Sequence, residues 1–233
     1  MMNPQDYLWF YAPELPQQGE IVLLPEEARH MKAQRIKTEE KVSLFTGQGS
    51  VAIGQVIGEG KIRMLEVQEV PKKAFSLAIA FAVPKGERAD WMLQKLTELG
   101  VSTLIPLKTT HAVVLPREHK QDRWKRILIE ACKQSKQAWL PELKPVSTIT
   151  QAVQDRADVK LLLDKNGQPI RETLNKPVKS ILAFIGPEGG FTDEEKAMLQ
   201  QAGCLPVSLG NNILRIETAA LALAAVCAAA QGI

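Results

Sequence analysis

Aromatic side chains are scarce in this chain, at 5% of its residues, and it has only three cysteines, Cys132, Cys204 and Cys227. The first shortage argues against an RNA binder of the RRM kind, whose sheet stacks bases on Phe and Tyr. The cysteines are odd in number, scattered and without CxxC spacing. That pattern excludes a zinc site or a disulfide framework and predicts reduced thiols. No apolar run is long enough to cross a bilayer, which takes roughly 20 residues. The most apolar segment, TAALALAAVCAAA from Thr218 to Ala230, is rich in the best helix former and reads as a closely packed buried helix, one that could also meet a second subunit. The start, MMNPQDYLWFYAPELP, has acids and prolines where a secretory leader would carry a basic stretch and an apolar run. The expectation is a soluble cytoplasmic protein with no membrane span and no metal.

What is present is ordinary in amount and uneven in distribution. Apolar residues make up 45% and charged residues 24% of 233, enough to bury a core in one large or two smaller domains. The net charge of +3 decides nothing by itself. Residues 1–70, however, carry 7 basic and 10 acidic side chains, and residues 71–148 carry 14 and 7. The basic excess is concentrated in REHKQDRWKRILIEACKQSK, Arg117 to Lys136. Such clustering suits a polyanion, or equally the solvated face of an amphipathic helix; charge does not choose between them.

The first 70 residues or so read as short strands. EIVLL, KVSLFTG, SVAIGQVIG and IRMLEVQEV are separated by turn signals such as TGQGS, with one helical stretch, PEEARHMKAQR. Their close spacing suggests a small barrel, and PKKA (Pro71 to Ala74) a linker. From Ser76 apolar strands alternate with helices: SLAIAFAV, VSTLIPL, VKLLLD, SILAFIG and LPVSLG, with a long basic helix around Arg123 to Trp139. Alternation of this kind predicts an α/β fold with a mostly parallel, helix-covered sheet. The domains expected are 1–71 and 75–233.

Ligands of open α/β sheets bind at the carboxyl ends of strands. Two loops fall there, GPEGGFT after the strand ending at Ile185 and LGNNILRIETA after the strand ending at Leu209. Neither carries the Gly-Lys-Ser/Thr of a P-loop, and neither is a GxGxxG fingerprint. Thr192 and Glu195 form a capping box that satisfies the helix start internally. Asp193, Glu194 and Glu195 put negative charge where a phosphate would sit. A neutral or cationic ligand suits the loop better, and S-adenosylmethionine, with a positive sulfonium and no phosphate, is such a ligand. The plainer alternative is a tight turn followed by a capped helix.

Read together, GPEGGFT and, about 20 residues on, LG..ILR.ETA resemble the SPOUT class of methyltransferases. More narrowly, they resemble the family that methylates N3 of one uridine in bacterial 16S ribosomal RNA. Other stretches extend the resemblance over nearly the whole chain: His30 and Arg35, LFTGQG, PKGERADWMLQKLTELGV, and RW..I..EACKQS with Pro141 beyond. The resemblance implies a C-terminal domain with a deep trefoil knot, a PUA-like or OB-like N-terminal barrel that helps bind RNA, and a homodimer. It implies S-adenosylmethionine as cofactor, held by Gly186, Pro187, Glu188, Gly189 and Gly190, by Leu209, Gly210, Ile213, Leu214, Arg215, Thr218 and Ala219, and by Leu163. Ribosomal RNA or the small subunit would be the partner, met by His30, Arg35, Lys85, Arg123, Lys133 and Gln134. Arg215 would stabilise the developing uracil anion, and Glu217 would act either as a base or as a helix cap.

Three positions depart from that family's pattern. His111 and Ala112 stand where an Arg-Ser pair is usual, Gln137 where an Arg follows QS., and Asn212 where an Arg precedes ILR. Each change removes a rigid, permanently charged fork. His111 could replace the lost arginine or be a surface histidine. Two alternatives therefore stand beside the uridine-N3 enzyme: an RNA-binding protein of little activity on the same scaffold, and a methyltransferase of another RNA.

Overall fold

The computed structural model describes residues 2–112, 119–174 and 176–231. The chain divides into two compact units, Met1–Lys72 with Ile129–Leu140, and Lys73–Leu128 with Pro141–Ile233. The first contains strands β1 (Trp9–Tyr11) and β2 (Glu20–Val22), helix α1 (Pro25–Ala33), and strands β3 (Lys41–Phe45), β4 (Ser50–Gly58) and β5 (Lys61–Glu69). They form one five-stranded sheet, ordered β1-β3-β4-β5-β2, in which only the β1–β3 pair is parallel. Four of the five residues of β3 are buried, so both faces of the sheet are covered. On one side Phe10, Val42, Leu44, Ala52 and Ile62 pack with Met31 of α1. On the other, Trp9, Phe45 and Val51 pack with Cys132, Ala138, Ile129, Trp139 and Leu140.

That second layer corrects the expected domain division. Segment 129–140, read in the sequence as part of the second domain's central helix, belongs to the first unit because its apolar side chains cover the Phe45 face. The TGQGS turn is built to receive it. A Cβ on Gly49 (φ 102°) would lie 2.4 Å from the Trp139 ring, and the Trp139 indole N–H donates to the carbonyl of Val70 at 2.8 Å.

The second unit opens with β6 (Ser76–Ala82), α2 (Arg88–Glu98), β7 (Thr103–Lys108) and α3 (His119–Ser135), whose last residues lie in the first unit. It continues with β8 (Glu142–Leu143), β9 (Ser147–Thr148), α4 (Ile149–Ala152), β10 (Val159–Pro169) and α5 (Ile170–Thr173). It ends with β11 (Ser180–Ile185), α6 (Asp193–Gln201), β12 (Cys204–Ser208) and α7 (Ile216–Gln231). The sheet order is β12-β10-β11-β6-β7-β8, with β9 also on β7, and every pair is parallel. The near-continuous apolar runs of β6 and β11 follow from burial on both faces. One face carries Phe184, Leu182, Ile105 and Leu107 against Ile149, Phe191 and Leu199. On α2 and α7, which pack together, Met92, Leu93 and Leu96 are buried, as are Ala220, Leu223, Ala224 and Cys227.

The basic helix stops at Ser135, short of the expected Trp139. Lys136 takes a left-handed conformation (φ 53°), and the Gln137 N–H returns to the carbonyl of Cys132 at 3.0 Å, closing the helix end. Among the described residues, no helix is long and apolar enough to cross a membrane and no group of His, Cys, Asp or Glu is placed to hold a metal.

Candidate functional site

Three loops at the carboxyl ends of neighbouring strands meet around one cavity of about 310 Å³. The first is the irregular part of β10, where pairing with β12 shifts register between Leu163 and Gln168, bringing Leu163, Asp164, Lys165 and Asn166 to the wall. The second is Gly186–Gly190 after β11, and the third runs from Leu209 through Ile213 and Leu214 to Ile216 and Ala219 at the start of α7. The volume falls within the range of small-molecule sites.

The glycine loop is shaped by close contact and backbone sign. A Cβ on Gly186 would sit 2.9 Å from the Phe191 ring, and Gly190 has φ 74°, a conformation that favours glycine. The loop ends in the expected capping box: the Glu195 N–H donates to Thr192 Oγ1 at 3.2 Å, and the Thr192 N–H to Glu195 Oε2 at 2.9 Å. Glu195 Oε1 additionally accepts from the N–H and hydroxyl of Thr110 at 2.8 and 3.0 Å. With the helix start satisfied by its own side chains, the loop offers a phosphate little.

Ile185, Val207, Ile213 and Leu214 supply apolar wall, with Ile213 81% exposed and so available to a ligand. Asp164 and Lys196, on the polar side, pair at 2.8 Å. That hydrogen bond, helped by the Asn166 N–H at 2.9 Å, holds the Asp164 carboxyl below its ordinary range against the opposing effect of burial. Burial pushes the thiols of Cys132 and Cys227 up to about 12 and that of Cys204 to about 11, so none is a nucleophile at neutral pH.

Of the residues assigned to the cofactor from the sequence, Leu163, Gly186 to Gly190, Leu209, Gly210, Ile213, Leu214 and Ala219 line this cavity. Arg215 and Thr218, both exposed, do not line it. Arg215 instead enters α7, its carbonyl accepting from the Ala219 N–H at 2.8 Å. Lys196, Asp164, Asn166, Phe191 and Asn212 also line the wall and were not singled out as cofactor residues from the sequence. Phe191 and Asn212 fall within the two loops read from the sequence, whereas no local motif marks Lys196, Asp164 or Asn166, which the sheet brings there.

Glu217, expected as a base or a helix cap, is buried at the entrance to α7. It lies inside the first turn of α7, where the helix dipole favours a carboxylate. It is 7% exposed, with Oε1 3.6 Å from Arg88 Nη1 and Oε2 without a hydrogen-bond partner among the described residues. Arg88 also pairs with Glu188 of the glycine loop at 3.1 Å. This arginine, which opens α2, was not among the residues chosen from the sequence. It ties the loop to α7, and only the packing of α2 on α7 brings the three together.

The residues expected to meet RNA separate into exposed and spent. Lys85, Arg123, Arg35 and Gln134 are exposed, although Arg123 also pairs with Asp90 at 2.6 Å. His30 is half-buried, edge-on to Phe10 with centroids 5.6 Å apart. Lys133 is a correction. Its side chain is 6% exposed and lies 2.9 Å from both Glu27 and Glu130, so its charge is used inside the first unit. Gln137 donates to the hydroxyl of Ser135 at 3.0 Å.

Known proteins similar to this chain identify its family. An RNA methyltransferase domain matches residues 71–228, and the chain belongs to that family. Among its relatives is the ribosomal RNA small subunit methyltransferase E of Synechocystis sp., 31% identical over 225 residues that cover 91% of this chain and 74% of the relative. The enzyme of the same name from Aquifex aeolicus is 27% identical over 93% of this chain and 97% of its own. In structure, the chain is similar to the ribosomal RNA small subunit methyltransferase E of Neisseria gonorrhoeae bound to S-adenosyl methionine. The TM-score is 0.87 at 28% identity, over 97% of this chain and 98% of the other. A methyltransferase of Legionella pneumophila with bound cofactor SAM has the same TM-score at 31% identity, over 97% and 98%.

Proposed function

We propose that this protein transfers a methyl group from S-adenosylmethionine to N3 of a uridine in the 16S RNA of the small ribosomal subunit. The observation that carries the reading is the single cavity in which the glycine loop, the β10 irregularity and the entrance to α7 converge. Its residues suit this cofactor. Leu163, Ile213 and Leu214 offer apolar wall for an adenine, and the glycine loop lets backbone polar groups approach closely. When bound, the cofactor supplies an electrophilic methyl.

The chain's own residues then position and polarise. Arg88 holds Glu188 and Glu217 together, fixing the glycine loop on α7. Arg215, exposed where α7 begins though off the cavity wall, is the cation assigned to stabilise the uracil anion. A paired uridine must first leave its stack, and Lys85, Arg123 and Arg35 are exposed cations suited to the phosphates. We further propose that the second unit is knotted, that the five-stranded unit is a PUA-like barrel serving RNA binding, and that the protein acts in the cytoplasm as a homodimer. For the pairing of subunits, the support is an α7 rich in small residues with Val226 exposed.

The test is methyl transfer from labelled S-adenosylmethionine to small subunits lacking the modification, with naked 16S RNA and transfer RNA in parallel. Nucleoside mass spectrometry should find 3-methyluridine in 16S RNA. Product in transfer RNA instead would move the substrate, and cofactor binding without product would leave an RNA-binding protein.

A further inference from the structure

We propose that His111 is the general base of this reaction, accepting the uridine N3 proton on its Nε2. The proposal rests on the methyl-transfer reading above and goes further by naming the proton acceptor. After β7 the chain turns at Thr109–Ala112, where the Ala112 N–H bonds the carbonyl of Thr109 at 3.1 Å. Thr110 fastens this turn to α6 through its two bonds to Glu195. On the turn, His111 Nδ1 lies 3.1 Å from the carbonyl oxygen of Gly190. A carbonyl only accepts, so the bond places the proton on Nδ1. In the neutral ring Nε2 then carries the lone pair. A Cβ on Gly189 would stand 3.5 Å from both Cβ and Nδ1 of His111, so the imidazole rests against the two glycines that close the cavity loop.

The ring is exposed, and its neighbours do not compete for it. Of the charged groups on the elements around it, Glu188 is paired with Arg88, and Glu195 is committed to Thr110 and Thr192. Asp193 and Glu194 open α6, and Lys108 ends its own strand. Of the other bases near the cavity, Asp164 is bonded to Lys196, and Glu217 is closed off by burial, with Oε1 toward Arg88. An imide nitrogen must lose its proton before it is a good nucleophile, and imidazole is the side chain suited to take it near neutral pH. In the step, the N3–H electron pair stays on nitrogen and forms the bond to the methyl carbon. The carbon–sulfur pair remains with sulfur, and the imidazolium returns its proton to water.

His111→Asn keeps a donor where Nδ1 stands and removes the base; His111→Gln removes the donor to Gly190. With small subunits as substrate, H111N should lower kcat about 100-fold or more. KM and cofactor affinity should stay within about threefold, and the acid limb of the kcat–pH profile should vanish. H111Q should weaken cofactor binding through the loosened loop. Independently of turnover, ¹⁵N NMR of the free protein should show the neutral His111 ring protonated on Nδ1. A ring protonated on Nε2, or an H111N protein with wild-type kcat and acid limb, would overturn the proposal. Wild-type protein that transfers no methyl to any RNA would overturn the methyl-transfer reading itself, an outcome distinct from H111N matching an active wild type.

Discussion

At the residue scale, charge is placed inside this protein in two ways. Lys133, Glu27 and the Tyr11 N–H form a buried chain, with Glu27 Oε2 accepting from Tyr11 at 3.2 Å and Lys133 Nζ 5.9 Å above the Phe10 ring. Removing one partner strands the other charge in low dielectric. Lys133→Met should therefore cost about 3–5 kcal/mol in urea unfolding, and adding Glu27→Leu should restore most of it. Asp164 is the second case, and its sign can be worked out. Its carboxyl titrates lower in the folded protein, so its contribution is complete above the unfolded value of about 3.9 and is lost as pH falls through the folded value. Wild-type protein should lose stability across that acid window more steeply than Asp164→Asn, as followed by thermal unfolding between pH 5 and pH 2. Neither arrangement is legible locally. KQS and LLLDKN read as a surface cation and a strand end, and the partners lie 106 and 32 positions away.

At the element scale, local chemistry was readable wherever the partner was near in sequence. The capping box of α6 was legible because Thr192 and Glu195 are three residues apart and satisfy each other. Gly100, with φ 78° just after α2, supplies the left-handed residue that commonly ends a helix. Thr192→Ala should cost about 1 kcal/mol of stability, measured by chemical denaturation. It should also loosen the glycine loop, since Glu195 holds both Thr192 and Thr110. The strands of the second unit were legible because parallel strands buried on both faces leave unbroken apolar runs. Three-residue β1 and two-residue β8 and β9 were not; so short a stretch has no period to read, and its pairing decides it.

At the scale of the whole molecule, binding at the cavity should stabilise the unit that contains it. S-adenosylmethionine at about a hundred times its Kd should add about 2.7 kcal/mol to the unfolding free energy of that unit. Calorimetry with and without the ligand checks this, and the shift should disappear in Gly190→Val, where a β-branched residue would be forced to φ 74°. The sequence by itself determined the α/β class, the two cavity loops that lack a phosphate cradle, and the capped helix behind the first of them. These depend on apolar period, glycine and proline placement, and contacts a few residues apart, all of which a sequence writes locally. Only the tertiary structure decided that Arg88 bridges Glu188 and Glu217, that Lys133 is spent inside, that residues 129–140 complete the first sheet, and that His111 rests on Gly189 and Gly190. Each joins residues distant in the chain through the strand order and the burial of a shared face, and no local pattern carries that information.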